Sequence, residues 1–295
     1  VLEFKKPTLS DMDWVKKAME SSGEMACEYC FGNLYIWTDI YENTIAESGG
    51  MFFARDGGER PVYLYPCGQG DMKKAIGELL ECEKADNKPL EMYCLTPEKV
   101  RELDALFPGE FEFEADRDYF DYIYLSEELG SLAGRKLHSK RNHISYFKNN
   151  FDWSYERINK DNLGECYYMN MLWEKQRNPD SDEELNAELA AINKAFEHFE
   201  RLGFTGGLLR KDGEVVAYTF GEAINEKVFC THVEKAFADI RGAYPMINQQ
   251  FCLNELMGYK YINREDDTGD EGLRQAKESY CPAILLPKFL AKHKV

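Results

Sequence analysis

The sequence predicts an α/β (α+β) fold in two similar halves, each a mixed, mostly antiparallel sheet flanked by helices. Three observations carry that expectation. The chain has 295 residues, and domains commonly run to about 150 residues. Hydrophobic residues make up 44% and charged residues 30%, the proportions of a packed core under a solvated surface. Helical and strand periodicities alternate along the chain with no low-complexity stretch, and much the same element string is read twice.

In the first half, a helix is expected near Ser10–Ser21 with Ser10 as N-cap. A second helical stretch covers Tyr29–Tyr41, with Phe31, Leu34, Tyr35, Trp37 and Ile40. Met51–Ala54 and Val62–Tyr65 read as strands joined by the turn Asp56-Gly57-Gly58. After Gly68-Gln69-Gly70-Asp71 comes a helix whose Met72, Ala75, Ile76, Leu79 and Leu80 share one face. Leu90–Leu95 is a strand, and Thr96-Pro97-Glu98 opens a helix with Pro at its first position. Strands Phe111–Phe113 and Asp121–Leu125 close the half, so the expected units are 1–126 and 127–295.

The second half opens with a basic segment, Gly134–Lys148, and a strand, Ser154–Ile158. A helix runs from Asn162 to Arg177, ended by Asn178-Pro179. Leu185, Leu189, Ile192, Phe196 and Phe199 mark the next helix at offsets of 4, 7, 11 and 14, with Gly203 as its stop. Strands Thr205–Leu209, Val215–Phe220 and Val228–Val233 follow, the first two joined by Lys211-Asp212-Gly213. Then come helix Tyr244–Met257 ended by Gly258, strand Tyr259–Asn263, helix Glu271–Tyr280 and strand Ala283–Phe289.

Composition narrows the function classes. A formal charge of −17 repels phosphate backbones and anionic lipid on average, so general nucleic-acid coating is disfavoured and a local basic site would stand out. No apolar run approaches twenty residues and Val1–Ser10 holds no apolar signal core, so a cytoplasmic protein without integral membrane contact is expected. Nine scattered Cys read as reduced thiols. The lone Cys27-x-x-Cys30 lacks a second ligand pair, and the five His show no metal-site spacing, so no metal set is read.

Four stretches carry candidate chemistry. Ile240-Arg241-Gly242-Ala243-Tyr244 joins a strand to a helix, where a glycine and free N–H groups suit an anion; the alternative is a helix-start turn with a surface Arg. Gly68–Asp71 is its counterpart in the first half, but Asp71 would compete with a phosphate, and a capping role is preferred. In Gly134–Lys148, Leu137 and Ile144 share a helix face while Arg141 and Lys148 share a sector, so a guanidinium falls half-buried and needs an anionic ligand or an internal carboxylate. Asn263–Tyr280 leaves a strand end and enters a helix. Its acids, with Arg264, Arg274 and Lys277, suit a zwitterion or, alternatively, a cap with surface ion pairs.

Gly134-Arg135-Lys136-Leu137 through Lys140-Arg141-Asn142-His143-Ile144, Ile240–Tyr244 with Ile247-Asn248, and Asn263-Arg264-Glu265-Asp266 through Gly269, Leu273-Arg274, Lys277 and Ser279-Tyr280 form one set. With Asn33-Leu34-Tyr35-Ile36-Trp37 they resemble the family named for the C-terminal domain of bacterial phosphatidylglycerol lysyltransferases, over nearly the whole chain. The second half also follows the element order of the GNAT acyltransferase core. The resemblance implies a tandem GNAT-like fold and kinship with enzymes that move an amino acid from aminoacyl-tRNA to a lipid, and with Fem-type transferases. No membrane half is present, so the expected acceptor is a soluble amine or hydroxyl.

On that resemblance the donor is expected at Arg135, Lys136, Lys140, Arg141, Asn142, Arg241, Gly242 and Ala243, and the acceptor at Asn263, Arg264, Gly269, Arg274 and Lys277. Glu265 or Asp266 would take the acceptor's proton and Tyr280 would protonate the leaving group. The expected partners are aminoacyl-tRNA and a small-molecule acceptor, with oligomeric state open. Two alternatives stand beside this: a GNAT-type N-acetyltransferase using acetyl-CoA or another acyl-CoA, and a non-catalytic protein that binds a small metabolite.

Overall fold

The computed structural model describes residues 2–58, 60–85, 88–177 and 183–294. In chain order, its elements begin with α1 (Met12–Ser21), α2 (Phe31–Ile36), α3 (Thr38–Tyr41), β1 (Thr44–Ser48), β2 (Met51–Arg55), β3 (Tyr63–Leu64), β4 (Cys67–Gly68), α4 (Met72–Ala85), β5 (Glu91–Leu95), α5 (Pro97–Leu106) and β6 (Phe111–Ala115). There follow β7 (Asp121–Leu125), α6 (Ser126–Ser131), α7 (His138–Asn150), β8 (Trp153–Arg157), α8 (Leu163–Arg177), α9 (Glu183–Glu197), α10 (Phe199–Leu202), β9 (Thr205–Lys211), β10 (Glu214–Asn225) and β11 (Val228–Ala236). Last come α11 (Ala243–Phe251), β12 (Tyr261–Asn263), α12 (Glu271–Glu278), β13 (Ile284–Leu286) and β14 (Phe289–His293).

These strands form two mostly antiparallel sheets flanked by helices, the predicted fold class. The first has the order β1-β2-β3-β5-β14-β6, with β4 on β2, and the second β13-β7-β12-β11-β10-β9-β8. Each contains a parallel pair, β3–β5 in the first and β11–β12 in the second. The last strand of each half lies in the other half's sheet: β14 is inserted between β5 and β6, and β7 between β12 and β13. The compact units follow this exchange. The first comprises 1–121, 266–271 and 285–295, and the second 122–265 and 272–284.

The exchange differs from the sequence reading, which closes each half with its own strand. Strand β7 is a buried run with Tyr122, Ile123 and Tyr124, and periodicity says that such a run is a strand without saying which sheet receives it. The expected strand Ala283–Phe289 divides at Pro287 and Lys288 into β13 and β14, since proline has no N–H for a ladder. Hairpin strand β1 and helix α6 were not read at all. The first helix is introduced by Thr8 rather than Ser10: the Thr8 N–H and hydroxyl both donate to Asp11 Oδ2, at 3.0 and 2.8 Å. The helix expected to reach Met257 keeps α-geometry only to Phe251 and widens to a π-turn over Cys252–Leu256. The Asn178-Pro179 stop and the Leu185 side chain lie outside the described residues.

Each unit has its own core. In the first, Ile76 and Leu79 of α4 pack with Met51 and Phe53 of β2 and Met92 of β5. Asp71 caps α4 by accepting from the Lys74 N–H at 3.0 Å. A Cβ on Gly68 would stand 2.3 Å from the Gly50 carbonyl oxygen, so that glycine is required for hairpin packing, the preferred structural reading. In the second unit, Phe196 of α9 and Phe199 of α10 pack their rings on Phe220 of β10 at 5.8 and 5.5 Å. Among the described residues no helix is long and apolar enough to cross a membrane.

Candidate functional site

The site forms where two strands of the second sheet stop pairing. The ladder between β11 and β12 joins only Val228, Phe229 and Cys230 to Tyr261, Ile262 and Asn263. Strand β11 continues to Ala236, whereas the chain after Asn263 turns away through Glu265, held at a left-handed φ of 59°. Asn263, fully buried, fixes that turn by accepting the Glu265 N–H on its side-chain oxygen at 2.7 Å. A non-glycine residue in this conformation marks a place where the surroundings over-determine the backbone.

His232 supplies the second irregularity. Phe220 of β10 faces Val233 and Gly221 faces Thr231, so His232 is an extra residue in β11, a bulge that re-aims its ring. Glu222 stands opposite Cys230, and Thr219 opposite Glu234. Three residues apart on one strand, Glu222 and Thr219 face opposite sides of the sheet. Glu222 and Glu234 therefore serve different faces.

On the face that carries Glu234, helices α7 and α11 and the segments that follow β12 and α12 contribute a charged cluster. Glu234 accepts from Arg264 Nη2 at 2.9 Å and from the Asn248 amide on α11 at 2.9 Å. Arg264 lies over the rings of Tyr280 and Tyr124, with its carbon 4.9 and 5.6 Å from their centroids. Lys140 of α7 lies over the same Tyr280 ring at 4.1 Å, a favourable arrangement for a cation on an aromatic face. Two cations thus meet one carboxylate. Arg264 Nη1 is buried with no hydrogen-bond partner, and so is Asn248 Oδ1. Burial and the nearby Arg264 guanidinium lower the Lys140 ammonium below its ordinary value against the pull of Glu234, and among the described residues no carboxylate lies within ion-pair distance of it. An excess positive charge beside an unused buried donor is suited to an anion. Burial raises the Tyr280 phenol against the pull of Arg264, so it stays protonated at neutral pH.

On the other face runs a carboxylate–imidazole–carboxylate relay. His232 Nδ1 is 2.8 Å from Glu265 Oε1, and Nε2 is 3.3 Å from Glu222 Oε1. Burial alone would lower the imidazole, but Cys230, Glu222 and Glu265 around it raise it well above its ordinary value, making it an imidazolium donating from both nitrogens. The relay is graded in exposure: the Glu222 and His232 side chains are 1% and 2% exposed, and Glu265 is 26% exposed. Glu265 is therefore the end that a substrate can reach.

The remaining expected residues are distributed as follows. Arg135, Lys136 and Asn142 are exposed. Arg141 donates to the carbonyls of Leu132 and Gly134, closing the turn before its own helix. Arg241 is exposed and stacks 4.3 Å over Tyr146. Gly242 has a φ of 91°, and a Cβ there would come 2.4 Å from the His143 carbonyl oxygen. Its bare side is occupied by α7, and the Ala243 N–H already donates to the Ile240 carbonyl at 3.1 Å. With its glycine covered and this N–H taken, the loop is poorly suited to the anion expected there. Lys277 is buried with its ammonium 5.8 Å from the Tyr122 centroid, and Arg274 is half-buried. Asp266 and Gly269 belong to the first unit, where Asp266 lies 3.5 Å from Lys288 and the Gly269 N–H donates to the buried Asp267 at 3.0 Å. Of the expected set, Lys140, Arg264 and Tyr280 come together, with Glu265 on the opposite face.

Sequence reasoning missed Glu222, His232 and Glu234, and named Asn248 only within the family-like set without a role. One signal was available: strands β10 and β11 lie in the middle of a sheet, where buried strands read as apolar runs, and Glu222, His232 and Glu234 interrupt them. Lys288 and two of its partners in the first unit, Glu28 and Asp121, were also missed. Cys27, Glu28 and Asp121 stand close enough to share an ion, but Lys288 already occupies this cluster, 2.6 Å from Glu28 and 2.8 Å from Asp121.

The family described as phosphatidylglycerol lysyltransferase, C-terminal, matches residues 20–292. A conserved protein of unknown function from Bacteroides thetaiotaomicron VPI-5482 is 38% identical with a TM-score of 0.95, each chain covered over 100% of its length. The C-terminal domain of a putative lysylphosphatidylglycerol synthetase from Agrobacterium fabrum is 15% identical with a TM-score of 0.69, over 98% of this chain and 93% of that one, and shows the shared fold. An uncharacterized protein of Mycoplasmoides gallisepticum is 21% identical over 181 residues, and the match spans 56% of that relative's length. By the match over residues 20–292, the chain belongs to the phosphatidylglycerol lysyltransferase C-terminal family, an acyl- and aminoacyltransferase-like group.

Proposed function

We propose that the protein transfers an amino acid from aminoacyl-tRNA to a soluble amine or hydroxyl acceptor, with donor and acceptor meeting where β11 and β12 part. The observation that carries this reading is the pair of cations, Arg264 and Lys140, on one Tyr280 ring with the buried Arg264 Nη1 unused. In this reading Arg264 and Lys140 hold the donor's anionic end, and the protonated Tyr280 phenol gives its proton to the departing ribose oxygen. Glu265, oriented by its hydrogen bond to His232, takes the proton of the attacking amine or hydroxyl. The acceptor's lone pair attacks the ester carbonyl, the new amide or ester forms, and the bond to ribose breaks.

Acetyl-CoA as donor is the second reading, and the occupied surroundings of Gly242 and Ala243 count against it. The test is a transfer assay with radiolabelled aminoacyl-tRNA and, separately, radiolabelled acetyl-CoA. The proposal expects label to leave aminoacyl-tRNA faster than in buffer, and Glu265→Gln to abolish the difference. Label leaving acetyl-CoA alone would move the donor to an acyl-CoA. Label leaving neither would favour a non-catalytic metabolite-binding protein.

A further inference from the structure

Cys230 and His232 stand two residues apart on β11, so strand alternation sends both side chains to one face of the sheet. Glu222 of β10 is paired directly opposite Cys230 and shares that face. Glu265 reaches it from the turn after β12, with its backbone held at a left-handed φ of 59°. All four residues belong to the second unit. The proton relay uses the ring and the two carboxylates and gives the thiol no task. Yet the Cys230 sulfur, fully buried, lies 3.7 Å from Glu265 Oε1 and within 4.8 Å of a ring nitrogen of His232. His232 Nδ1 is 2.8 Å from the same Glu265 oxygen. Inert buried thiols sit among apolar side chains, whereas this one faces an imidazole and a carboxylate.

We propose that Cys230 Sγ, His232 Nδ1 and Glu265 Oε1 form a site for a divalent cation of the zinc class, and that the bound ion withdraws Glu265 from proton transfer. A thiolate, an imidazole and a carboxylate together suit zinc better than magnesium or calcium, which take oxygen ligands. Around a tetrahedral ion with bonds of about 2.0–2.3 Å, ligand atoms stand about 3.3–3.8 Å apart. The separation of Cys230 and Glu265 already fits, and His232 and Glu265 need to open by about 0.5 Å once the proton between them has gone. Glu222 stands behind the ring, buried and 3.3 Å from Nε2, the carboxylate–histidine–metal alignment that fixes the tautomer and orientation of a ligating imidazole. The exchange balances in charge: the divalent ion displaces the thiol proton and the Nδ1 proton, so the buried cluster keeps the net charge that its imidazolium, two carboxylates and neutral thiol have without it. Three protein ligands leave the fourth tetrahedral position to water. Local spacing does not show the set, because Glu265 follows His232 by 33 residues. The cation site stands whether or not the chain transfers an amino acid; only the withdrawal of the base rests on that reading.

The test is titration of the full chain, reduced and freed of metal by a chelator, with Co2+, whose bond to a thiolate gives a near-ultraviolet charge-transfer band, followed by competition with Zn2+. The parent should show one thiolate-bound, tetrahedral Co2+ that Zn2+ displaces. Cys230→Ser should lose the band, Glu265→Gln should bind about tenfold or more weakly, and Glu222→Gln should keep the band while binding about 10–100-fold more weakly. Melting points check that each variant folds. Cys27→Ser, at the other cysteine–carboxylate cluster, should change nothing. No thiolate band in the parent, or a band kept by Cys230→Ser and lost by Cys27→Ser, would overturn the cation site and leave the transfer reading standing. The zinc-loaded parent should transfer label more slowly than the chelator-treated chain. Equal transfer with the thiolate band present would overturn the withdrawal of Glu265, and no transfer by either form would overturn the transfer reading, and that withdrawal with it, while the cation site stood.

Discussion

Replacing Arg264 by Met separates what the guanidinium does for the fold from what it does for a ligand. The Arg264 and Glu234 side chains are each 12% exposed, and removing one member of a buried pair costs about 3–5 kcal/mol. Two features reduce that cost here. Glu234 keeps the Asn248 amide at 2.9 Å, and the unpartnered Nη1 disappears, relieving about 1–3 kcal/mol of desolvation. The expected net loss is about 1–3 kcal/mol, read as a lowered urea midpoint or a fall of about 2–4 °C per kcal/mol in melting temperature. Adding Glu234→Gln removes the stranded charge while leaving Asn248 an acceptor, so the double variant should return to within about 1 kcal/mol of the parent. Both variants should lose transfer. Destabilisation of about 5 kcal/mol or more without rescue would make Arg264 a structural residue, and full activity in either variant would remove it from the site.

Lys288→Met should destabilise the first unit by about 3–5 kcal/mol, because Asp121, 0% exposed, would be left without its ammonium; a change below about 1 kcal/mol in urea unfolding would contradict this. Gly242→Ala should cost about 2 kcal/mol or more from a φ of 91° and a 2.4 Å approach to the His143 carbonyl, and an unchanged midpoint would show that α7 gives way freely. Burial pushes the Glu24 carboxyl up to about 7 against the pull of Lys99, from an ordinary 4.5. The folded state then binds more proton than the unfolded between those values, so stability falls as pH rises through that window and is level above it. Glu24→Gln should flatten that slope and be the more stable chain at pH 8, which unfolding at pH 4, 6 and 8 reads directly.

Much of the second unit was legible because long amphipathic helices and tight turns write their periods into the chain: α9 shows its stripe through Leu189, Ile192 and Phe196. The exchange of β7 and β14 was not, since a buried strand carries no mark of its sheet. Within the site, Lys140, Arg264, Glu265 and Tyr280 were found because basic and acidic runs are conspicuous in sequence. Grouping them was harder. Lys140 and Arg264 were expected on donor and acceptor sides, yet they share the Tyr280 ring, a contact set by how α7 packs rather than by local spacing. Glu265 and Asp266 were treated as interchangeable, but Asn263 turns the backbone between them and gives each a different partner, His232 and Lys288. His232 depends on a bulge, which needs the register of both strands to be seen.

If Arg264 and Lys140 form the donor's anion site, a thermal-shift comparison of the parent chain and Arg264→Met, each with acetyl-CoA and with a mixed pool of aminoacyl-tRNA, reads it directly. A ligand that binds only the folded state raises the melting point by mass action. Aminoacyl-tRNA should stabilise the parent, and most of this shift should be lost in Arg264→Met. Stabilisation by aminoacyl-tRNA that is equal in both chains, or by neither donor in the parent, would contradict it.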